Sequence, residues 1–196
     1  KAISLKPDLI NSYLNLVNIL ITKGKLKEAE KYIRKAIEIN PGYANSYLNL
    51  GNILKALGET KEAEFYTRKA IKIQPTYANA HYNLGNILYD LGNFKGAEEH
   101  LNKAIKINPK FEEAYYNLGI ILTNIGKIKE AEIYTKKAIE LNPNNAYYYS
   151  HLGNIFNELS KYNEAKIAYK KAINLDPKLD SAKSGLIETK SEICDW

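Results

Sequence analysis

The sequence predicts an all-α protein, an α-α solenoid of 34-residue helix-turn-helix repeats. Three observations predict it. The prolines, Pro7, Pro41, Pro75, Pro109, Pro143 and Pro177, stand 34 residues apart throughout. Ahead of each, at a fixed distance, comes an alanine followed by isoleucine, from Ala2 and Ile3 to Ala172 and Ile173. Between prolines, apolar residues recur at spacings of three and four in two stretches parted by a glycine. Duplication of one structural unit produces such a pattern; composition does not.

The first segment, 1–9, matches the tail of a second helix, because KAISLKP parallels KAIEINP around Ala36. It therefore reads as the remnant of a truncated preceding repeat. Methionine is absent, even at residue 1, so the chain is expected to be an excised or processed piece of something longer. Ile3 and Leu5, without their usual neighbours, would leave an apolar end through which the fragment could self-associate.

Five full repeats follow, 10–43, 44–77, 78–111, 112–145 and 146–179. In the second, Tyr47, Leu50, Ile53, Leu54 and Leu57 form one apolar stripe on a first helix. Gly58 stops that helix, since glycine accepts the left-handed conformation of a helix end. Ala63, Tyr66, Ala70, Ile71 and Ile73 form the stripe of a second helix, and Pro75 ends it. Gly51 and Ala63 are small, which lets the two helices approach closely. The other repeats carry the same signals: leucine at the seventh place throughout, alanine at the twentieth, and glycine at the fifteenth until Ser160. The last segment, 180–196, keeps Leu186 in register but is mostly polar, and reads as a capping helix and tail. Trp196 either tucks back onto that cap or leads into a following segment.

The Tyr-x-x-Leu-Gly, Gly, Ala, Ala, Pro pattern resembles the tetratricopeptide repeat family over residues 1–177. The resemblance implies a right-handed superhelix in which first helices line a concave groove. It also implies that side chains two, five, six, nine, twelve and thirteen places into each repeat face the groove. Carried over, the sixth place gives Asn15, Asn49, Asn83, Asn117 and then His151; the ninth gives Asn18, Asn52, Asn86, Ile120 and Asn154. Asparagine is a poor mid-helix residue, because its amide competes with the backbone for hydrogen bonds. Its amide also offers donors and an acceptor suited to the main chain of an extended peptide. The columns are similar to the asparagine ladders of O-linked N-acetylglucosamine transferases. Tyr82, Tyr89 and Tyr116 add amphipathic contact area in mid-groove. Two readings stay open at these places: peptide binding, or pairing and packing between neighbouring helices. A carboxylate clamp looks incomplete, since the groove offers Lys55 but otherwise Leu14, Leu48, Asp90 and the tyrosines.

The sequence also argues against several functions. The net charge of +6 is carried largely by second helices, where Glu30, Glu64 and Glu132 stand four residues before Arg34, Arg68 and Lys136. That is a solvated outer face, not a phosphate track, and the pentatricopeptide repeats that read RNA differ in period, so nucleic acid is not the expected partner. The histidines, His81, His100 and His151, are read as sitting in three different repeats, with His81 and His100 each in a slot used elsewhere by tyrosine. No metal spacing, phosphate-cradling loop or paired nucleophile and base is present, so no catalytic, cofactor or metal site is predicted, and the chain is read as a non-enzyme. No apolar run approaches the ~20 residues that span a bilayer, so no membrane insertion is expected. The single cysteine, Cys194, fits a reducing, cytoplasmic setting. The reading is an interaction scaffold or adaptor whose partner is a protein or extended peptide. The alternative is a targeting or self-association module of a larger enzyme, of glycosyl- or sulfo-transferase type.

Overall fold

The computed structural model describes residues 6–192, in two compact units that divide between Ile107 and Asn108. The described residues form eleven helices and no strand. The first unit holds α1 (Lys6–Thr22), α2 (Leu26–Ile39), α3 (Ala44–Ala56), α4 (Thr60–Ile73), α5 (Ala78–Asp90) and α6 (Phe94–Ile107). The second holds α7 (Glu112–Asn124), α8 (Ile128–Leu141), α9 (Ala146–Glu158), α10 (Tyr162–Leu175) and α11 (Asp180–Glu192). In each unit consecutive helices pack as pairs, and the second helix of a pair packs on the first helix of the next.

One boundary differs from the sequence reading. α1 begins at Lys6, so residues 6–9 belong to this first helix and not to the tail of a preceding second helix. Pro7 stands in its first turn, where no intrahelical N–H bond is lost. Ile3, Leu5 and the self-association assigned to them lie outside the described residues, as do Cys194 and Trp196.

The turns follow from residue chemistry. After α3 the Gly58 N–H bonds to Lys55 O at 3.0 Å and the Glu59 N–H to Leu54 O at 2.9 Å. This doubly bonded helix end needs a left-handed residue, and Gly58 supplies it at φ 82°. The fifth repeat makes the same turn with Ser160 at φ 55°, the one non-glycine residue with positive φ among those described. Between repeats, Asn40 Oδ1 accepts from the Gly42 N–H at 3.0 Å, and Asp176 Oδ1 from the Lys178 N–H at 2.9 Å. Each acceptor spans a proline, so the chain turns where the helix cannot continue.

The core sits along the seam of each pair. Ala29, Ala63, Ala97, Ala131 and Ala165 are fully buried, with Leu50, Leu84 and Leu118 beside them. Gly51 faces Thr67 and Gly119 faces Thr135 so closely that an added Cβ would collide with the threonine hydroxyl. The outward pairs form as the spacing predicts: Glu30–Arg34 at 2.8 Å, Glu64–Arg68 at 2.8 Å and Glu132–Lys136 at 2.6 Å. Partly exposed pairs of this kind contribute about 0.3–0.5 kcal/mol each. Among the described residues no helix is long and apolar enough to cross a membrane.

Candidate functional site

In the first unit, the asparagines of α1, α3 and α5 stand at the sixth and ninth places of three successive repeats. Asn15, Asn18 and Asn52 are exposed; Asn49, Asn83 and Asn86 are partly buried. Two contacts tie α3 to α5 along this face. Asn83 Nδ2 donates to Asn52 Oδ1 at 2.6 Å, and Lys55 Nζ pairs with Asp90 Oδ2 at 2.9 Å. The ninth place of one repeat therefore meets the sixth of the next, as the twelfth meets the thirteenth. Asn52 and Asn83 are thus joined across α3 and α5, and part of their hydrogen-bonding capacity is spent in that bond. The remainder is substantial: Asn52 keeps its whole NH₂ group, and Asn83 keeps its oxygen and one N–H. Tyr82 and Tyr89 are partly buried on α5, and the Tyr89 ring lies 5.7 Å from that of Phe94.

The second unit continues the same places differently. Tyr116 and Asn117 on α7 are partly buried. The Tyr116 ring lies 4.7 Å from Tyr148 and meets His151 edge-on at 5.6 Å. His151, in an asparagine slot by sequence, is buried, with Nε2 3.4 Å from Thr123 Oγ1 and Nδ1 without a partner. Burial pushes its pKa down to about 4, so the ring is neutral near pH 7. Asn154 Oδ1 accepts the Tyr169 hydroxyl at 2.7 Å, which turns this asparagine toward its own second helix.

The histidines correct one expectation. His81 and His100 both belong to the third repeat, and their Nδ1 atoms meet at 3.0 Å. His81 Nε2 lies 3.0 Å from Pro75 O, an acceptor only, so Nε2 donates and Nδ1 of His81 accepts from His100 Nδ1–H. Burial, with His81 and the nearby Lys103 and Arg68, pushes His100 down to about 4. The pair replaces the tyrosines that occupy both places in the first, second and fourth repeats, and the third repeat's substitutions at both places were the available signal. Among the described residues no three histidine, cysteine or acidic side chains converge on a common metal position.

Sequence reasoning did not foresee the cluster around Tyr169. Its hydroxyl also accepts from Asn157 Nδ2 at 3.3 Å, and Asn157 Oδ1 accepts from Thr189 Oγ1 at 3.0 Å. The signal was a tyrosine at the twenty-fourth place, where other repeats carry isoleucine, threonine or leucine.

Models of the tetratricopeptide repeat match residues 8–76, 112–145 and 146–179, and a TPR repeat model matches 68–92 and 85–126. No curated protein sequence matches the chain. Among solved structures, YrrB, described as a TPR protein with an unusual peptide-binding site, is 27% identical with TM-score 0.71, over 88% of this chain and 89% of that one. The pilF protein of Pseudomonas aeruginosa is 22% identical with TM-score 0.89, over 97% of this chain and 86% of that one. MamA of Desulfovibrio magneticus RS-1 is 23% identical with TM-score 0.77, over 87% and 97% respectively. The last two are similar in fold.

Proposed function

Because this chain belongs to the tetratricopeptide repeat family, we propose that it is a protein-interaction scaffold holding an extended partner segment by its main chain. The peptide would lie along the face of the first unit bearing Asn15, Asn18, Asn49, Asn52, Asn83 and Asn86; in the second unit, taken by itself, Asn117 holds the corresponding place, while Asn154 is bonded to Tyr169. Tyr82, Tyr89 and Tyr116 would supply apolar contact beside them.

One observation carries this reading. The Asn83–Asn52 bond fixes two amides side by side, yet leaves the Asn52 NH₂ for a peptide C=O and the Asn83 oxygen for a peptide N–H. An amide already fixed by a neighbour loses less rotamer freedom on binding, which lowers the entropic cost of gripping a chain. Such a grip ignores partner side chains, so it fits a segment defined by extension more than by sequence. The description of YrrB as having a peptide-binding site supports a peptide as the class of partner. The Lys55–Asp90 pair neutralises the groove lysine, which is consistent with a partner held without a terminal carboxylate.

The test is a peptide array probed with the wild-type chain and with Asn49, Asn83 and Asn86 changed together to Ala. Loss of about three hydrogen bonds at ~1 kcal/mol each should weaken binding roughly a hundredfold. N-methylation of the peptide backbone should weaken it comparably, and shuffling peptide side chains should matter less. Unchanged binding in the triple variant would assign the ladder to packing.

A further inference from the structure

Four of the five repeats bring two rings together between the fourth and the twenty-third places of the repeat. The pairs are Tyr13–Tyr32 at 6.1 Å, Tyr47–Tyr66 at 6.4 Å, His81–His100 at 5.2 Å and Tyr115–Tyr134 at 6.3 Å. The fifth repeat has Tyr149 at the fourth place but Ala168 at the twenty-third. Its tyrosine has moved one residue on, to Tyr169. One residue is about 100° around a helix, so the ring leaves this face and turns inward. There it is buried, hydrogen-bonded to Asn154 and Asn157.

The vacated place is a cleft of about 410 Å³ between α9 and α10. Tyr149, Leu152, Phe156 and Ala168 line it, with Ile167, Lys171 and Glu164 at its mouth. Ile167 is 68% exposed, so the apolar surface of the floor extends to the rim on its side. The Lys171 ammonium stands 6.0 Å from the Tyr149 ring centroid, within cation–π range. None of the proposed peptide-binding asparagines lines the cleft.

The chain itself indicates what fills such a place. In the second repeat it is the Tyr66 ring, and the residue that receives it is Arg34, at the twenty-fifth place of the repeat before. Arg34 donates to the Tyr66 hydroxyl at 2.9 Å and stands 5.3 Å over its ring. The residue at that place ahead of the fifth repeat is Lys136, whose ammonium lies 5.5 Å from the Phe156 ring at the cleft. The cleft thus has an apolar slot and a facing ring, and beside its Phe156 wall stands Lys136, paired with Glu132 as Arg34 is with Glu30; the phenol is missing. We propose that this cleft is a second interaction site, which takes a tyrosine side chain from a partner protein. The incoming ring packs on Tyr149 and Ala168, and its hydroxyl accepts from Lys136.

p-Cresol, the tyrosine side chain alone, is the first probe, followed on the full chain through the methyl NMR signals of Leu152, which lines the cleft and is kept in every variant. Saturable shifts are expected in the wild type. They should vanish in Ala168→Tyr, which restores the ring that the first, second and fourth repeats carry, and weaken at least tenfold in Ile167→Glu, an exposed change at the rim. Toluene should bind at least tenfold more weakly than p-cresol. Random peptides displayed on phage, selected on the wild type and depleted on Ala168→Tyr, should then converge on sequences containing tyrosine. No saturable shift in the wild type, equal shifts in Ala168→Tyr, toluene binding as well as p-cresol, or selected peptides that bind both proteins alike would each overturn the proposal. Failure of the asparagine variants to affect peptide binding would leave this result unchanged, so the two sites are tested separately.

Discussion

Gly153→Ala is the sharpest test of how the fifth repeat is packed. A Cβ built on Gly153 would stand 2.5 Å from Tyr169 Cε1 and 2.7 Å from Cδ1 and Cζ. Those are ring atoms of a buried side chain, not the free end of a flexible one. The ring cannot retreat, because Gly185 on α11 approaches it from another side just as closely. Rotating it away would break the bonds to Asn154 and Asn157, worth about 1 kcal/mol each. Overpacking of this kind costs ~1–3 kcal/mol, and the higher helix propensity of alanine returns roughly 1 kcal/mol. With one hydrogen bond lost, the net expectation is a destabilisation of about 2 kcal/mol, a fall in Tm of roughly 4–8 °C for a chain of this size. Urea unfolding followed by circular dichroism measures the total. Amide exchange in α9, α10 and α11 shows where it falls, which matters because repeat stabilities are nearly nearest-neighbour sums. The decisive control is the same change in a Tyr169→Ala background, where the collision is gone and only the propensity gain remains. Gly153→Ala that is as stable as wild type, or equally costly in both backgrounds, would refute the packing argument.

Two further outcomes follow from the same structure. Ser160 occupies the left-handed conformation that Gly24, Gly58, Gly92 and Gly126 occupy elsewhere. Ser160→Gly should therefore stabilise by about 0.5 kcal/mol, the relief of ~1–2 kcal/mol of strain less the larger unfolded-state entropy of glycine, and a lowered urea midpoint would contradict this. The His151 pKa falls from its ordinary 6.5 to about 4 on folding, so between those values the unfolded chain binds more protons than the folded one. Its contribution, about 3 kcal/mol, is complete above pH 6.5 and is lost as pH falls through 4. Urea midpoints at pH 7.5 and 4.5 should differ less in His151→Asn than in wild type, and an unchanged difference would remove His151 as the cause. His100 acts in the same direction, so some pH dependence remains in the variant.

The fold was legible because its determinants are backbone constraints that do not depend on neighbours. Proline after each second helix, glycine two residues past most first helices and alanine at the seam act within one repeat, and each repeats with the same period. The site was less legible because an amide's partner depends on rotamer and on what the adjacent helix presents. Asn52 and Asn154 occupy the same place, yet one accepts from an asparagine of the next repeat and the other from a tyrosine of its own. Lys55 and Asp90 were both visible as groove residues, but their pairing required knowing that the twelfth and thirteenth places of successive repeats meet. The start of α1 at Lys6 shows a limit of another kind. Proline terminates a helix that precedes it and starts one that follows it, so Pro7 alone does not distinguish the two.

The displacement of one tyrosine links three features of the fifth repeat that appear separate. Turned inward, Tyr169 fills the space beside Gly153 and Gly185, which only residues without side chains permit. The Asn157 that donates to its hydroxyl also receives Thr189 of α11, so the ring helps to seat the last helix. The same displacement empties the outer face beside Tyr149, and Phe156, larger than the Leu54, Leu88 and Leu122 at its place in earlier repeats, closes only part of it. An apolar cleft with an exposed isoleucine at its rim costs solvation and gains nothing if α11 alone needed explaining, since the twenty-third place could have kept its tyrosine as well. Seating α11 accounts for Tyr169. It does not account for Ala168, and that residue is the reason to look for a partner at the cleft.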